Sequence, residues 1–269
     1  MMQTPQTGEV FNAAARDYGA AASLLWDPLG EAYVQRVGPA TGDHVLDACC
    51  GMGASAVPAA RAVGAAGRVD AVDLAAALVE RGRRRAAAEG LDQLRFHTAD
   101  VTAWSAPGPY DVVLCGYGIF FLPDMDASAR SLAALLRPGG RFSVATWAKG
   151  ALEDFGTLLH RSAAAERPGE SADPLAVGRA SARTNTEGAL EEWAAGLGLG
   201  GVSVQRIVRQ VELSPGNAWN LVVGTGFRAM LHDLDEAAVD RVRNRFLNAL
   251  ADERIDRLDA TSLVVVGSV

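Results

Sequence analysis

Three aspartates and a pair of glycines carry the most chemistry in this sequence. Gly51-Met52-Gly53-Ala54-Ser55-Ala56 fits the pattern G-x-G-x-x-A directly after an apolar run, and Asp73 lies 20 residues beyond Gly53. Glycines at such a turn let backbone amides come close to a ligand. An acid at that distance accepts hydrogen bonds from ribose hydroxyls, so the spacing satisfies the dinucleotide-binding fingerprint. Asp47 stands four residues before Gly51, and Asp100 follows a later apolar run. A carboxylate at Asp47 repels a pyrophosphate at close range but suits a ligand that carries fixed positive charge. Asp100 can accept a hydrogen bond from the exocyclic amine of adenine. The small residues in Cys115-Gly116-Tyr117-Gly118 let the edge of a ligand lie on backbone. Carboxylates at three strand ends favour an adenosine ligand with cationic groups. A nicotinamide dinucleotide is the alternative, and Asp47 and Asp100 speak against it.

The other reactive residue types offer less. The four histidines (His44, His97, His160, His232) and three cysteines (Cys49, Cys50, Cys115) contain no His-x-x-x-His or Cys-x-x-Cys spacing, so no metal site is expected. The cysteines read as small buried hydrophobes and not as nucleophiles. His44 and His97 fall just before and within strand-like runs and read as structural. His160 and His232 lie in later helical segments and are the candidates for a general base, with Arg228 as a candidate for orienting an anionic acceptor. Asp154-Phe155-Gly156 matches a kinase tripeptide, but no glycine-rich loop or catalytic-loop motif accompanies it.

These residues must be held by alternating elements. Strand-like runs occupy 44–49, 67–73, 94–99, 110–115 and 141–147. Helical patterns separate them, one running from about Ser128 to Leu136 and stopping at Arg137-Pro138-Gly139-Gly140. Strands separated by helices of this length mean βαβ units and a parallel sheet. Beyond Trp147 the pattern changes: helical pieces around Glu166-Arg167-Pro168-Gly169, a helix near Thr186 to Leu197, one strand from Val202 to Leu213, helices near Ala218 to Leu231 and Glu236 to Ala251, and a last strand at Ser262 to Val266. The first 40 residues read as helical and carry Phe11, Tyr18, Trp26 and Tyr33. The expectation is one domain over 1–269: a helical cap segment at 1–40, a ligand-binding core at 41–147, and further cap segments with the last two strands at 148–269.

Val45-Leu46-Asp47-Ala48-Cys49-Cys50-Gly51-Met52-Gly53, Val72-Asp73, Ala99-Asp100-Val101, Tyr110-Asp111-Val112-Val113 and Leu136-Arg137-Pro138-Gly139-Gly140-Arg141 together resemble the class I S-adenosylmethionine-dependent methyltransferases. More narrowly they are similar to the type 11 (UbiE-like) small-molecule group, as is Gly118-Ile119-Phe120-Phe121-Leu122-Pro123-Asp124. The resemblance covers about residues 41–147. It implies a Rossmann-like, doubly wound seven-stranded α/β sheet, mostly parallel with an antiparallel last strand, plus a helical cap. It also implies S-adenosyl-L-methionine as cofactor and in-line methyl transfer to a small, apolar or aromatic metabolite. At matching positions Asp47 and the turn Cys49, Gly51, Gly53 would hold the methionine portion, and Asp73 the ribose. Leu74 would pack on adenine, Asp100 and Val101 would set its amine, and Cys115, Gly116 and Tyr117 would form the floor. Tyr18 and Trp26 would close over the cofactor, and Phe120 and Phe121 would line a substrate pocket. In that family a glycine stands where this chain has Cys49. A protein of the same fold that holds the cofactor without transferring methyl stays open as a second reading.

Composition narrows the partners. The 269 residues carry 25 Lys and Arg against 32 Asp and Glu, a net charge of −7, which argues against a general nucleic-acid binder. Lys149 is the only lysine, so a polybasic membrane tether is excluded as well. No apolar run approaches the ~18 residues of a membrane span. Met1 to Val10 lacks the basic and apolar regions of a signal peptide, so the expected compartment is the cytoplasm. The expected partner is a small-molecule substrate, with a homodimer left open.

Overall fold

A computed structural model describes residues 4–167 and 181–269. The chain opens with α1 (Thr4–Ala21), a π-helical turn (Ala22–Trp26) and α2 (Asp27–Val37). The βαβ part follows as β1 (His44–Ala48), α3 (Ala56–Val63), β2 (Arg68–Asp73), α4 (Ala76–Ala88), β3 (Leu94–Thr98), β4 (Tyr110–Gly116), α5 (Met125–Ala133) and β5 (Leu136–Trp147). Next come α6 (Glu153–Ala164), α7 (Glu187–Gly196), β6 (Gly200–Ile207) and β7 (Gln210–Glu212). The chain ends with α8 (Pro215–Val223), a 3-10 turn (Gly226–Leu231), α9 (Glu236–Asp252), β8 (Arg257–Asp259) and β9 (Ser262–Ser268).

Seven strands form one doubly wound sheet in the order β3-β2-β1-β4-β5-β9-β6. All neighbours pair in parallel except β9, which runs antiparallel to both β5 and β6. β1, β2 and β4 are buried along nearly their whole length, as expected of parallel strands covered by helices on both faces. The order reverses between β1 and β4. The carboxyl ends of those two strands therefore open onto the crevice where such sheets bind ligands. Beneath it, Tyr33 of α2 is fully buried; its hydroxyl donates to the Ser143 carbonyl at 2.8 Å and accepts from the Cys115 amide at 3.3 Å. That pair of bonds ties the N-terminal helices to the centre of the sheet.

Side-chain caps set several helix starts: Asp124 accepts from the amides of Asp126 and Ala127, Thr186 from Ala189, Ser214 from Asn217 and Asp235 from Ala238. Upper-cap contacts follow chain order only loosely, since α1 packs on α8 and on α4, and α9 packs on α6.

Three sequence expectations need correction. The strand expected over 202–213 is two strands: β6 joins the main sheet, and β7 pairs with β8 in a separate ribbon. The reason lies in the partner, because β9 begins at Ser262 opposite Ile207. Past that point the Ala260 amide bonds the Arg209 carbonyl across a break in both chains, and Val208 is left 72% exposed. The stop at Arg137-Gly140 belongs to a strand and not to a helix end, since α5 finishes at Ala133 and Leu136 already pairs with Tyr110 beside a bulge. The helix expected over 218–231 stops at Val223, and 226–231 are 3-10. Of the helical pieces near Glu166, α6 ends at Ala164, and Pro168 and Gly169 lie outside the described residues.

Candidate functional site

The site is built on the turn between β1 and α3. Cys49, Gly51 and Gly53 all take positive φ (62°, 54° and 90°), conformations that glycine adopts freely and cysteine does not. Gly118, in the loop after β4, makes room for that cysteine: a Cβ at Gly118 would lie 2.4 Å from the Cys49 Cβ. Asp73 locks the turn to the end of β2, with Oδ2 accepting from the Gly51 amide and Oδ1 from the Ala75 amide, both at 2.8 Å. Tyr18 lies over the turn, since a Cβ on Gly51 would come within 3.0 Å of its hydroxyl.

Asp47, at the end of β1, is 1% exposed, and its Oδ2 meets no hydrogen-bond donor in the protein. Burial, then the negative charge of Asp73, pushes its carboxyl up to about 8. Asp73 is raised as well, by burial. Burial and Asp73 also raise the Tyr18 hydroxyl. A hydrogen bond to Cys115 and burial raise the Cys49 thiol, and burial raises Cys50; neither is a poised nucleophile. Asp100 caps the 3-10 turn after β3, its Oδ1 accepting from the Thr102 amide at 2.8 Å and the Thr102 hydroxyl at 2.7 Å.

These groups line one cleft of about 1060 Å³. Of the expected residues, Asp47, Cys49, Gly51, Asp73, Leu74, Asp100, Val101, Gly116, Tyr117, Tyr18 and Trp26 stand on its wall, as do Phe120, Phe121, His160 and His232. Gly53 does not. A Cβ there would meet the Phe96 ring at 2.7 Å, so this glycine serves the packing of β3 against the turn. Cys115 is fully buried behind the wall. His232 is 70% exposed and sits 2.6 Å from Asp233. Arg228 turns away and pairs with Asp17 at 3.2 Å.

Aromatic rings roof the cleft. Trp26 stacks on Tyr18 and leans on Tyr117 and Trp147, and Tyr117 and Trp147 have centroids 4.6 Å apart. The Trp26 indole N–H is buried without an acceptor. Sequence reasoning missed the far wall, where Glu153, Thr157 and Arg167 come from α6 and its C-terminal extension and Phe227 and Met230 from the 3-10 turn. A helical period over 153–167 was the available signal. Among the described lining residues Arg167 is the only Lys or Arg, and it follows α6 at the cap end.

The electrostatics follow from this placement. Buried Asp47, with one oxygen unpartnered, and half-buried Asp73 face the cleft with no guanidinium or ammonium beside them. Such a wall favours a ligand carrying positive charge and disfavours a pyrophosphate. The residues present therefore fit a cationic adenosine compound. Among the described residues no group of three or more His, Cys, Asp or Glu is placed to hold a metal, and no helix is long and apolar enough to cross a membrane.

Comparison with known proteins agrees with this geometry. Residues 45–140 match a family model described as a methyltransferase domain. An aklanonic acid methyltransferase of a Streptomyces species is 32% identical over 139 residues, 51% of this chain and 63% of the relative. A nocamycin O-methyltransferase of Saccharothrix syringae is 34% identical over 136 residues, 50% of this chain and 49% of the relative. The chain thus spans between about half and under two thirds of these relatives' lengths. Among solved structures, a [4+2]-cyclase superposes with a TM-score of 0.61 over 99% of this chain and 97% of the other at 15% identity, a likeness of fold. The sheet order and the glycine turn agree with the similarity of residues 45–140 to a methyltransferase domain.

Proposed function

We propose that this chain methylates an oxygen of a small, apolar or aromatic metabolite, using S-adenosylmethionine, and works in the cytoplasm as one unit over 1–269. The observation that carries this reading is the pair of carboxylates, buried Asp47 and half-buried Asp73, facing the cleft without a basic neighbour. The names of the two methyltransferase relatives support a small-molecule acceptor and, for one of them, oxygen.

Asp47 and the backbone of Cys49 to Gly51 would hold the methionine end. Asp73 has one lone pair spent on each amide bond and would use the others on the ribose hydroxyls. Leu74, 37% exposed on the wall, and Val101 would bracket adenine, with Asp100 at its amine. Gly116 and Tyr117 would form the floor, and Tyr18 and Trp26 would close above it. The cofactor supplies a methyl group already activated by a positive sulfur. The protein's part is then alignment and exclusion of water, which the aromatic roof performs; alignment alone can supply effective molarities of ~10⁵–10⁸ M.

Calorimetric titration with S-adenosylmethionine, S-adenosylhomocysteine and NAD, side by side, tests the reading. Micromolar binding of the first two and none of NAD is expected. Binding of NAD alone overturns it. Consumption of S-adenosylmethionine in the presence of an acceptor separates methyl transfer from a protein that only holds the cofactor.

A further inference from the structure

The cleft continues past the aromatic roof into the cap, and the α6 wall there holds one buried polar atom without a partner. Glu153, Gly156, Thr157, His160, Ala163 and Ala164 of α6 all line it, at the i, i+3, i+4, i+7 spacing of a single helix face. The residues flanking His160 on that face are small, so the imidazole borders open space. Its Nε2 is buried and meets no hydrogen-bond partner in the protein. Charged groups on the same wall are engaged elsewhere or lie at its ends. His232 pairs with Asp233, Arg167 donates to the carbonyls of Met230 and His232, and Glu153 stands at the first turn of α6, two turns before His160. The lining also carries aromatic rings, Phe11 edge-on to Phe121 with centroids 5.6 Å apart and Phe227 seated over Gly156, where a Cβ would be 3.4 Å from its ring, beside the polar Ser181, Asn185 and Thr225.

We propose that His160 Nε2 is the polar anchor of the acceptor site, and that the acceptor is a flat aromatic compound bearing a hydroxyl group. The proposal rests on the cofactor reading of the other half of the cleft. A hydroxyl fits because it both donates and accepts. It satisfies Nε2 in either tautomer, whereas an ether or a ketone serves only the protonated nitrogen. Aromatic walls with a few placed polar groups are also what fixes the orientation of a small apolar ligand.

Equilibrium dialysis against 1-naphthol and naphthalene reads this directly. Wild-type protein should prefer 1-naphthol about tenfold, the effect of one net hydrogen bond. His160→Phe should bind the two alike while keeping its affinity for naphthalene, and His160→Gln, which retains a donor and an acceptor, should keep part of the preference. Equal affinities in wild type overturn the proposal, as does a preference that survives in His160→Phe. Equal loss of both ligands in the Phe and Gln variants also overturns it, because His160 would then be a packing residue. S-adenosylhomocysteine, titrated separately, reads the other half of the cleft. If it fails to bind while the naphthol preference still depends on His160, the methyl-transfer reading falls and the anchor stands.

Discussion

Replacing Asp47 by Asn should flatten the dependence of stability on pH in the ligand-free protein. The carboxyl is 1% exposed and is pushed up to about 8 by burial and by Asp73, against about 3.9 in an unfolded chain. Between those values the folded state holds a proton that the unfolded state has released. Stability is then fully present below the unfolded value and is lost as pH rises toward about 8, by at most about 1.4 kcal/mol per pH unit. For a chain of this size one kcal/mol moves Tm by about 2–4 °C, so wild type should lose about 3–6 °C between pH 6 and pH 7 through this group. Asp73, raised in the same direction, contributes with the same sign and remains in the variant. The amide of Asn carries its own burial cost, which shifts the whole curve and leaves its slope alone. Thermal unfolding followed by near-ultraviolet circular dichroism from pH 5.5 to 8.5 gives the two slopes, and their difference reads Asp47 together with its coupling to Asp73. Parallel curves for wild type and Asp47→Asn would refute the reasoning, because Asp47 would then be ionised in the fold at neutral pH.

Three further outcomes test the wall. Asp73→Ala removes the acceptor for the Gly51 and Ala75 amides, each at 2.8 Å; it should abolish S-adenosylhomocysteine binding by calorimetry and cost about 1–3 kcal/mol in urea unfolding, and retained affinity removes Asp73 from the site. Gly118→Ala places a methyl 2.4 Å from the Cys49 Cβ and should destabilise by about 1–3 kcal/mol. Adding Cys49→Gly should recover most of that loss, and a double variant no more stable than Gly118→Ala shows the clash lies elsewhere. Tyr33→Phe deletes the bonds to the Ser143 carbonyl and the Cys115 amide and should lower urea-unfolding stability by about 1–2 kcal/mol; an unchanged midpoint means those groups find other partners.

The core of the fold was legible because its signals are local. Each strand of the βαβ part is a short apolar run, and Asp47, Gly51, Asp73 and Asp100 sit at strand ends where alternation of elements alone places them in one crevice. What failed depended on residues far along the chain. Gly53 looks equivalent to Gly51 in the motif, yet which glycine serves the ligand and which serves packing is decided by Phe96, 43 residues later. Cys115 lies in a strand covered on both faces, where an apolar residue gives no sign of the direction it faces. The split of the strand expected over 202–213 was set by where β9 begins, a fact about its partner. The α6 face was faint because Gly156, Thr157, Ala163 and Ala164 are small, the property that leaves the cleft room beside His160.

The ribbon of β7 and β8 has a consequence for how this chain can change. Everything from α8 through α9 departs after Leu213 and returns at Asp256, and the Leu213 amide bonds the Asp256 carbonyl at 2.8 Å. The excursion is thus a closed loop with its two ends pinned together just before β9 re-enters the sheet. Changes in the loop's length cost little, since closure entropy grows only slowly with size. Phe227 and Met230 ride on this loop, while Asp47, Asp73 and the glycine turn sit on the sheet. One wall of the cleft can therefore be rebuilt for a new acceptor on an excursion pinned at its base, so long as its seats on α1 and α6 are kept.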